Sequence, residues 1–159
     1  MNSVLNELAK ERAALLETIA GLDDAALERK GVIGDWSIKN LLAHIAAWES
    51  WVVQALPVRL ATGETPEHMR ARLVDEDASN AEEVAEREEL TPGEQLMELE
   101  RTRDALIAYL RTLDEATFER RRPWSTWEGT LGEYLLASLR DHEAEHRADL
   151  RATVARLAQ

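Results

Sequence analysis

The sequence predicts an all-α protein, and three observations support this. Ala, Leu, Glu and Arg, which lose little on entering a helix, supply much of the chain. Apolar residues recur at spacings of three and four, as on one face of a helix. No run alternates apolar and polar residues over the length of a strand, so we expect no β-sheet. No linker or repeat divides the 159 residues, which predicts a single domain over residues 1–159.

The first part of the chain predicts two long helices separated by a turn-rich connection. The first helix spans about residues 3–20 and ends near Gly21. Residues 23–35 contain two glycines and favour turns. A second helix begins at the N-cap Ser37, and we expect Pro57 to end it because proline lacks the N–H that a helix interior needs.

The second part predicts two further long helices, each opened by a capping box. Thr91 and Thr130 are each followed by Glu three residues later, which is typical of a helix start. The third helix spans about residues 92–113, and the fourth runs from 130 to the C-terminus. Residues 58–90 are acidic and read as a long crossover with one or two short helices. Such a crossover allows the second and third helices to run parallel in a four-helix bundle.

Charge and composition exclude several classes of function. A formal net charge of −12 repels phosphates, so we expect neither nucleic-acid binding nor attachment to an anionic membrane. The acidic residues 75–89 predict a solvated face. No basic leader and no run of about 18 apolar residues occurs, so we expect a cytoplasmic protein. The chain has no cysteine, so nitrogen and oxygen atoms must hold any metal.

Three of the four histidines lie on apolar stripes of the predicted helices. His142 and His146 are four residues apart, so both rings lie on one helix face, in line with inward-facing leucines. His44 follows Leu41 by three residues on the second helix and also faces inward. Three imidazoles suit Zn²⁺, Ni²⁺ or Fe²⁺, with a water or a substrate in an open position at a catalytic site. The alternative is that each is an ordinary buried, hydrogen-bonded histidine.

Two sequence motifs resemble a known family. Residues 34–49 are similar to the G-x-W-S-x-x-x-x-x-x-H-x-x-x-W segment of DinB-like proteins, and His142-x-x-x-His146 is similar to their second motif. The resemblance implies an up-down-down-up bundle, often a homodimer, with His44, His142 and His146 as metal ligands near one end. Members whose chemistry is understood include mycothiol-dependent maleylpyruvate isomerases and bacillithiol transferases. The resemblance therefore implies a small-molecule substrate and a metal that activates either a low-molecular-weight thiol cosubstrate or a water molecule.

The motifs leave three functions open. The first is a metal-dependent transferase or hydrolase that acts on a small molecule. The second is a non-catalytic stress-response bundle that binds a metal or a small molecule at the same site. The third is a helical dimerisation module without metal, whose histidines are merely packed. Metal content separates the third function from the other two, and an open coordination position would favour catalysis over sequestration.

Two acidic residues near the motif histidines and one further histidine are also candidates for a role at the site. Glu49 and Asp141 are close to the histidines in sequence and could orient an imidazole, although neighbours on a helix point about 100° apart. We therefore expect both to be solvated. His68 lies in the crossover, away from both motifs, and we expect it on the surface.

Tryptophans and one basic run are further features of the chain. Four tryptophans have two alternative roles: they line a pocket near the metal, or they pack in the core or an interface. They are Trp48, Trp51, Trp124 and Trp127. Trp36 precedes the N-cap of the second helix and is expected to staple the loop to the bundle. The run Arg120-Arg121-Arg122 is an exposed loop in our interpretation, and the alternative is a site for the carboxylates of a substrate or thiol.

Overall fold

The computed structural model describes residues 1–124 and 127–157, with the side chains of His68 and Ala71 outside the description. The surface position expected for His68 therefore falls outside the described part. Long helices form the bundle: α1 (Asn2–Ile19), α3 (Ile38–Thr62), α6 (Pro92–Leu110) and a final helix built of α8 (Leu131–Leu135), a π-helical segment (Leu136–Asp141) and α9 (His142–Leu157). Shorter elements connect them: α2 (Asp24–Glu28), α4 (Glu67–Arg70), a 3-10 turn (Ala71–Leu73), α5 (Glu76–Glu86), α7 (Glu115–Glu119), β1 (Arg122–Trp124) and β2 (Trp127–Gly129).

Helices α3 and α6 run parallel, as the long crossover predicts. The Lys39 ammonium near the start of α3 donates to the Leu90 carbonyl, just before α6, at 2.8 Å. Further along both helices, Glu49 of α3 accepts a hydrogen bond from Arg103 of α6. Both helices therefore advance in the same direction. The crossover between them holds α4, the 3-10 turn and α5, in agreement with the short helices expected there.

The final helix runs antiparallel to α3 and parallel to α1. Contacts of α3 with the final helix move backwards along it, from Ser138 beside Trp48 to Tyr134 beside Arg59. Contacts with α1 move forwards: a Cβ on Gly132 would come within 3.0 Å of Val4, and Arg147 pairs with Glu11. The bundle therefore has the up-down-down-up topology, and this prediction is confirmed.

The predicted capping boxes form, and they begin the helices at the expected residues. At α6 the Thr91 hydroxyl accepts from the Glu94 backbone N–H, and the Glu94 carboxylate accepts from the Thr91 N–H at 2.9 Å. Thr130 and Glu133 make the same reciprocal pair at α8. Ser37 caps α3, with the Asn40 amide oxygen completing its box. Each box satisfies N–H groups that a helix start leaves without partners.

Pro57 does not end the second long helix, contrary to the sequence expectation. Helix α3 continues to Thr62 and ends at Gly63, whose φ of +80° is left-handed. Leu56 is fully buried and Arg59 is nearly so, whereas Pro57 is exposed. Packing of this turn against the core therefore outweighs the one backbone hydrogen bond that proline removes.

A small antiparallel hairpin contradicts the expectation of no β-structure. Arg122 pairs with Gly129 and Trp124 with Trp127, over three residues on each strand. Strands of three residues are too short for an alternating pattern to be visible in the sequence. Trp124 is 1% exposed, and its indole N–H donates to the Gly129 carbonyl at 2.9 Å. A Cβ at Gly129 would overlap the Trp127 ring, so a larger residue there would displace that ring.

Two predicted irregular stretches contain more structure than the sequence suggests. The turn-rich connection at residues 23–35 includes α2, which Asp23 caps by accepting from the Ala26 N–H at 2.8 Å. The acidic stretch at residues 75–89 is largely exposed, as expected, but Glu83 and Val84 of α5 are buried. Within the described ranges, no helix is long and apolar enough to cross a membrane.

Candidate metal centre

A π-helical segment in the final helix sets the direction of two of the histidines. It spans Leu136–Asp141 and ends immediately before His142. One extra residue in a helix rotates everything after it by roughly 100°, which turns α9 relative to α8. The Trp48 indole N–H donates to the Ser138 carbonyl at 2.7 Å, so α3 stabilises the altered backbone. Segments of this kind are common at functional sites.

The most buried residue in the first turn of α9 is Glu143, not His142 or His146. Glu143 is 1% exposed, while His142 and His146 are half-buried at the edge of the core. The sequence placed both rings on the stripe of Leu135, Leu139 and Leu150, which are buried as predicted. Because of the π-helical segment, the rings lie beside that stripe, where they face α3.

The structure brings His44, His142 and His146 together, and we call this group the histidine triad. The Nε2 atom of His142 lies 3.1 Å from Nε2 of His44 and 3.0 Å from Nε2 of His146. One ligand atom from each residue falls within 4.8 Å of the others. His44 comes from α3 and is 5% exposed. The triad therefore aims three ring nitrogens from two antiparallel helices at one point.

The spacing and chemistry of these nitrogens fit a metal ion. Tetrahedral Zn²⁺ with Zn–N bonds of about 2.0–2.1 Å separates its nitrogen ligands by roughly 3.3 Å, close to the distances seen. The Nε2 atom of a neutral imidazole either donates one proton or accepts one, so His142 can satisfy only one of its two neighbours by hydrogen bonding. A cation accepts the lone pairs of all three nitrogens at once.

The environment holds the triad in its metal-binding protonation state. Burial, together with the neighbouring rings, lowers the pKa of His44 to about 4 and that of His142 to about 3. Burial also lowers the pKa of His146, although Asp149 and Glu145 oppose this shift. Metals bind neutral imidazole, so the triad needs to release no proton at neutral pH before it takes an ion.

Comparison with known proteins identifies the family. The family model of the DinB superfamily matches residues 7–150. The chain belongs to the DinB superfamily. This confirms the resemblance carried by the two histidine motifs. No curated protein sequence matches the chain.

Solved structures agree with this family at the level of the fold. An uncharacterised protein from Escherichia coli UTI89 superposes with a TM-score of 0.74 at 16% identity, over 98% of this chain and 92% of that one. YfiT from Bacillus subtilis, described as a probable metal-dependent hydrolase with an unusual four-helix bundle topology, gives 0.66 at 19% identity, over 99% and 87%. Mycothiol-dependent maleylpyruvate isomerase gives 0.70 at 19% identity, over 94% of this chain and 60% of that one.

Aromatic rings flank the triad of this DinB protein on two sides. The Trp36 ring centroid lies 5.4 Å from that of His44, and the Trp48 centroid lies 5.5 Å from that of His142. Trp51 stacks on Trp48 at 5.3 Å with an interplanar angle of 16°. Two of the four tryptophans considered as pocket residues therefore lie at or near the triad. The other two belong to the hairpin, where Trp124 stacks on Tyr134.

Other polar residues singled out in the sequence do not join the triad. Asp141 is exposed, as expected, and pairs with Arg140 at 2.7 Å. In the basic run, Arg121 pairs with Glu133 and Arg122 donates to the Thr117 carbonyl. The His44 Nδ1 atom is buried and has no hydrogen-bond partner among the described residues. No described carboxylate therefore orients the His44 ring through this nitrogen.

The sequence interpretation of Glu49 as a solvated residue is wrong. Glu49 is 1% exposed and belongs to a buried group of four charged residues, which we call the ionic network: Arg12, Glu49, Arg103 and Glu143. The helices α1, α3, α6 and α9 each supply one member. Arg12 Nε donates to Glu143 at 2.6 Å, and Arg103 Nε donates to Glu49 at 2.5 Å.

The sequence contains a signal for the ionic network. Arg12 lies between Leu8 and Leu15 at spacings of four and three, and Arg103 stands between Leu99 and Leu106 in the same way. Both arginines thus occupy apolar stripes of their helices, where a charged residue needs a buried partner. Glu143 lies between two histidines of the triad's motif, so its role in the core was masked by theirs.

Proposed function

We propose that this DinB protein is a metal-dependent enzyme. In this proposal His44, His142 and His146 bind one divalent first-row ion, Zn²⁺, Ni²⁺ or Fe²⁺. The reaction is a transfer to, or a hydrolysis of, a small molecule. The observation that carries the proposal is the convergence of three Nε2 atoms, with those of His44 and His146 at 3.1 and 3.0 Å from that of His142.

The donor set supports an exchangeable position. Three protein ligands would hold the metal, and in catalytic zinc sites such a donor set is completed by water or a substrate atom. A metal in such a site lowers the pKa of a bound water toward about 7 and polarises oxygen or sulfur ligands. The half-buried rings of His142 and His146 leave the triad accessible from the edge of the bundle.

Residues around the triad contribute positioning and exclusion of water. Trp48 fixes the π-helical segment through the Ser138 carbonyl and packs its ring near His142. Trp36 packs against His44, whose Nε2 atom faces that of His142. Aromatic walls beside a charged centre lower the local dielectric constant, which strengthens the electrostatic interactions formed there.

A low-molecular-weight thiol is the cosubstrate that we propose. The chain has no cysteine, so any thiolate in the reaction must come from a small molecule. The name of one structural neighbour, mycothiol-dependent maleylpyruvate isomerase, states that it depends on such a thiol. YfiT is described as a probable metal-dependent hydrolase, and the nucleophile of a hydrolase is water. We extend the proposal to a cytoplasmic homodimer, to be tested by fractionation and by light scattering of the purified protein.

Metal content tests the proposal directly. Untagged protein would be purified and its metal measured by elemental mass spectrometry, in wild type and in the His142→Ala variant. We expect close to one ion per chain in wild type and loss of that ion in the variant. His68→Ala is the matched control, since His68 is the one histidine outside the triad, and it should keep its metal.

Activity assays are done only if the wild-type protein contains or binds the metal. The metal-loaded protein would be screened with thiols and electrophiles, and separately with hydrolysable esters and amides. Metal-free wild type that also refuses added Zn²⁺ and Ni²⁺ would overturn the metal-dependent reading. Stoichiometric metal that exchanges with no ligand, and no turnover in either screen, would instead favour a binding protein.

A further inference from the structure

An open groove lies between α9 and the loop that precedes α3. It has a free volume of about 310 Å³, which is within the range of small-molecule sites in proteins. Residues 32–34 of the loop form one wall. Four residues of α9 form the other wall: Asp149, Ala152, Thr153 and Arg156.

Both walls of the groove lead to the histidine triad. On the loop side, the Trp36 carbonyl accepts from two N–H groups of the wall at 3.1 Å, and the Trp36 ring packs against His44. On the α9 side, Asp149 lies one turn after His146, close enough for its charge to oppose the lowering of the His146 pKa by burial. A ligand that fills the groove therefore has one end beside the triad.

Arg156 holds a positive charge at the far end of the groove. Its Nη2 atom donates to the Val32 carbonyl and to the Thr153 hydroxyl, both at 2.9 Å. These contacts place the guanidinium at the level of Thr153, about 10 Å along the helix from His146. The Nε and Nη1 atoms of Arg156 have no partner among the described residues. The guanidinium is thus fixed in direction and keeps N–H groups that suit a carboxylate.

Asp149 holds a negative charge between the triad and Arg156. It is exposed, and no hydrogen bond or ion pair joins it to another described residue. The i, i+3 and i+7 spacing of His146, Asp149 and Thr153 places them on one face of α9. Along this face the groove therefore presents an imidazole of the triad, then an unpaired anion, then a cation.

We propose that this groove binds a zwitterionic aminothiol, with its sulfur at the ion held by the triad, its ammonium beside Asp149 and its carboxylate at Arg156. The inference rests on the proposed metal-dependent function and specifies the thiol cosubstrate. The ammonium neutralises Asp149, which would otherwise repel the carboxylate of the ligand. An extended tripeptide with an N-terminal cysteine has these three groups in this order and spans about 10 Å.

The tripeptide Cys-Gly-Gly is the probe, and calorimetric titration of the zinc-loaded protein is the measurement. The C-terminal amide of this peptide differs from it in lacking the carboxylate charge. At low ionic strength, wild type should bind the acid about fivefold more tightly than the amide, the upper range for one exposed ion pair. In Arg156→Gln this preference should disappear.

Arg151→Gln is the matched control for Arg156→Gln. Arg151 is also exposed on α9, but it lines a separate groove that faces Ala14 and Glu17 of α1. The substitution removes the same charge from the same helix, so the fivefold preference should remain. Circular dichroism would establish that each variant is folded. A preference that survives Arg156→Gln, or that Arg151→Gln also abolishes, would overturn the proposal.

The N-acetylated peptide, which lacks the ammonium, tests the role of Asp149. Acetylation should weaken binding to wild type by about threefold more than it weakens binding to Asp149→Asn. Comparison of the two proteins cancels any direct bond between the amine and the ion. Equal effects of acetylation in both proteins would overturn the zwitterionic assignment.

Ser-Gly-Gly, with a hydroxyl in place of the thiol, separates this inference from the proposed function. If the sulfur binds the ion, zinc-loaded wild type should bind Cys-Gly-Gly more tightly than Ser-Gly-Gly, and His142→Ala should bind the two equally. Equal binding in wild type would contradict the thiol-binding metal centre. A clear effect of the sulfur without a preference for the acid over the amide would overturn only the groove proposal, as would no measurable binding of Cys-Gly-Gly.

Discussion

The histidine triad and the ionic network lie in the same bundle and share α3 and α9, yet their chemistry is opposite. In the network two cations meet two anions, and each guanidinium also donates to a backbone carbonyl, Arg12 to Leu99 and Arg103 to Leu8. In the triad three like groups face one another, and His44 Nδ1 has no partner among the described residues. A cluster whose polar groups all have partners holds helices together. A cluster with unpaired polar atoms can still bind a ligand.

The two clusters are also connected along the chain. Glu143 of the network directly follows His142 of the triad, and Glu49 directly follows Trp48, whose ring contacts His142. Neighbours on a helix point about 100° apart, so when the network fixes Glu143 toward the core it fixes His142 toward α3. The comparison therefore predicts that the network determines stability and orientation, while the triad determines metal binding.

Breaking the network should have the largest effect on stability. Glu49→Gln keeps the side chain's shape but leaves two buried arginines with one carboxylate, and removal of one partner of a buried ion pair costs about 3–5 kcal/mol. Urea unfolding would measure this as a lower midpoint. Glu7→Gln removes the exposed partner of Lys10 and should change the midpoint little. Equal effects of the two substitutions would show that the network is not a stabilising core feature.

Removing the metal should have the next largest effect. An ion that binds only the folded chain stabilises it by about 4 kcal/mol at a free concentration a thousandfold above its dissociation constant. We expect a chelator to lower the thermal midpoint of wild type and to leave that of His142→Ala unchanged. Adding Zn²⁺ back should restore wild type alone. A chelator effect of equal size in both proteins would place the ion somewhere other than the triad.

The sequence revealed features that depend on spacing within one helix. Capping boxes at Thr91 and Thr130 begin their helices as predicted, since the whole signal lies within four residues. The fold class, the topology and the convergence of the motif histidines also agree with expectation. Features that depend on tertiary packing were not visible: Pro57 lies within a helix because buried neighbours hold it there, and Glu49 is buried because arginines from two other helices reach it.

The π-helical segment at Leu136–Asp141 was missed for a different reason. A regular 3.6-residue period carried through this stretch places both histidines on the leucine stripe, and one inserted residue shifts that phase without changing composition. The partner that stabilises it, Trp48, is 90 residues away in sequence. Sequence reasoning therefore identified the triad's members correctly but placed their rings on the wrong part of the helix surface.

Acid should destabilise the metal-free protein through the triad. In the unfolded chain the imidazoles take up protons near their ordinary pKa of 6.5, whereas in the fold His44 does so at about 4 and His142 at about 3. Between these values the unfolded state binds more protons, so the free energy of unfolding falls as the pH decreases from 6.5. Urea unfolding at several pH values would show a shallower decrease for His142→Gln than for wild type. Parallel curves would contradict the assignment.

The smallest expected effect comes from the hydrogen bond between Trp48 and the π-helical segment. Trp48→Phe keeps an aromatic ring beside His142 but removes the N–H donated to Ser138, which leaves a carbonyl of the π-helical segment without that donor. A lost hydrogen bond of this kind costs about 1–3 kcal/mol, less than a broken ion pair in the network. Because the segment sets the direction of His142, the variant should also bind Zn²⁺ more weakly in a competition titration.

Trp51→Phe is the matched control, since no described residue accepts from the Trp51 N–H, and its metal affinity should stay at the wild-type level. Loss of stability without loss of affinity in Trp48→Phe would show that the hydrogen bond to Ser138 does not set the direction of the His142 ring.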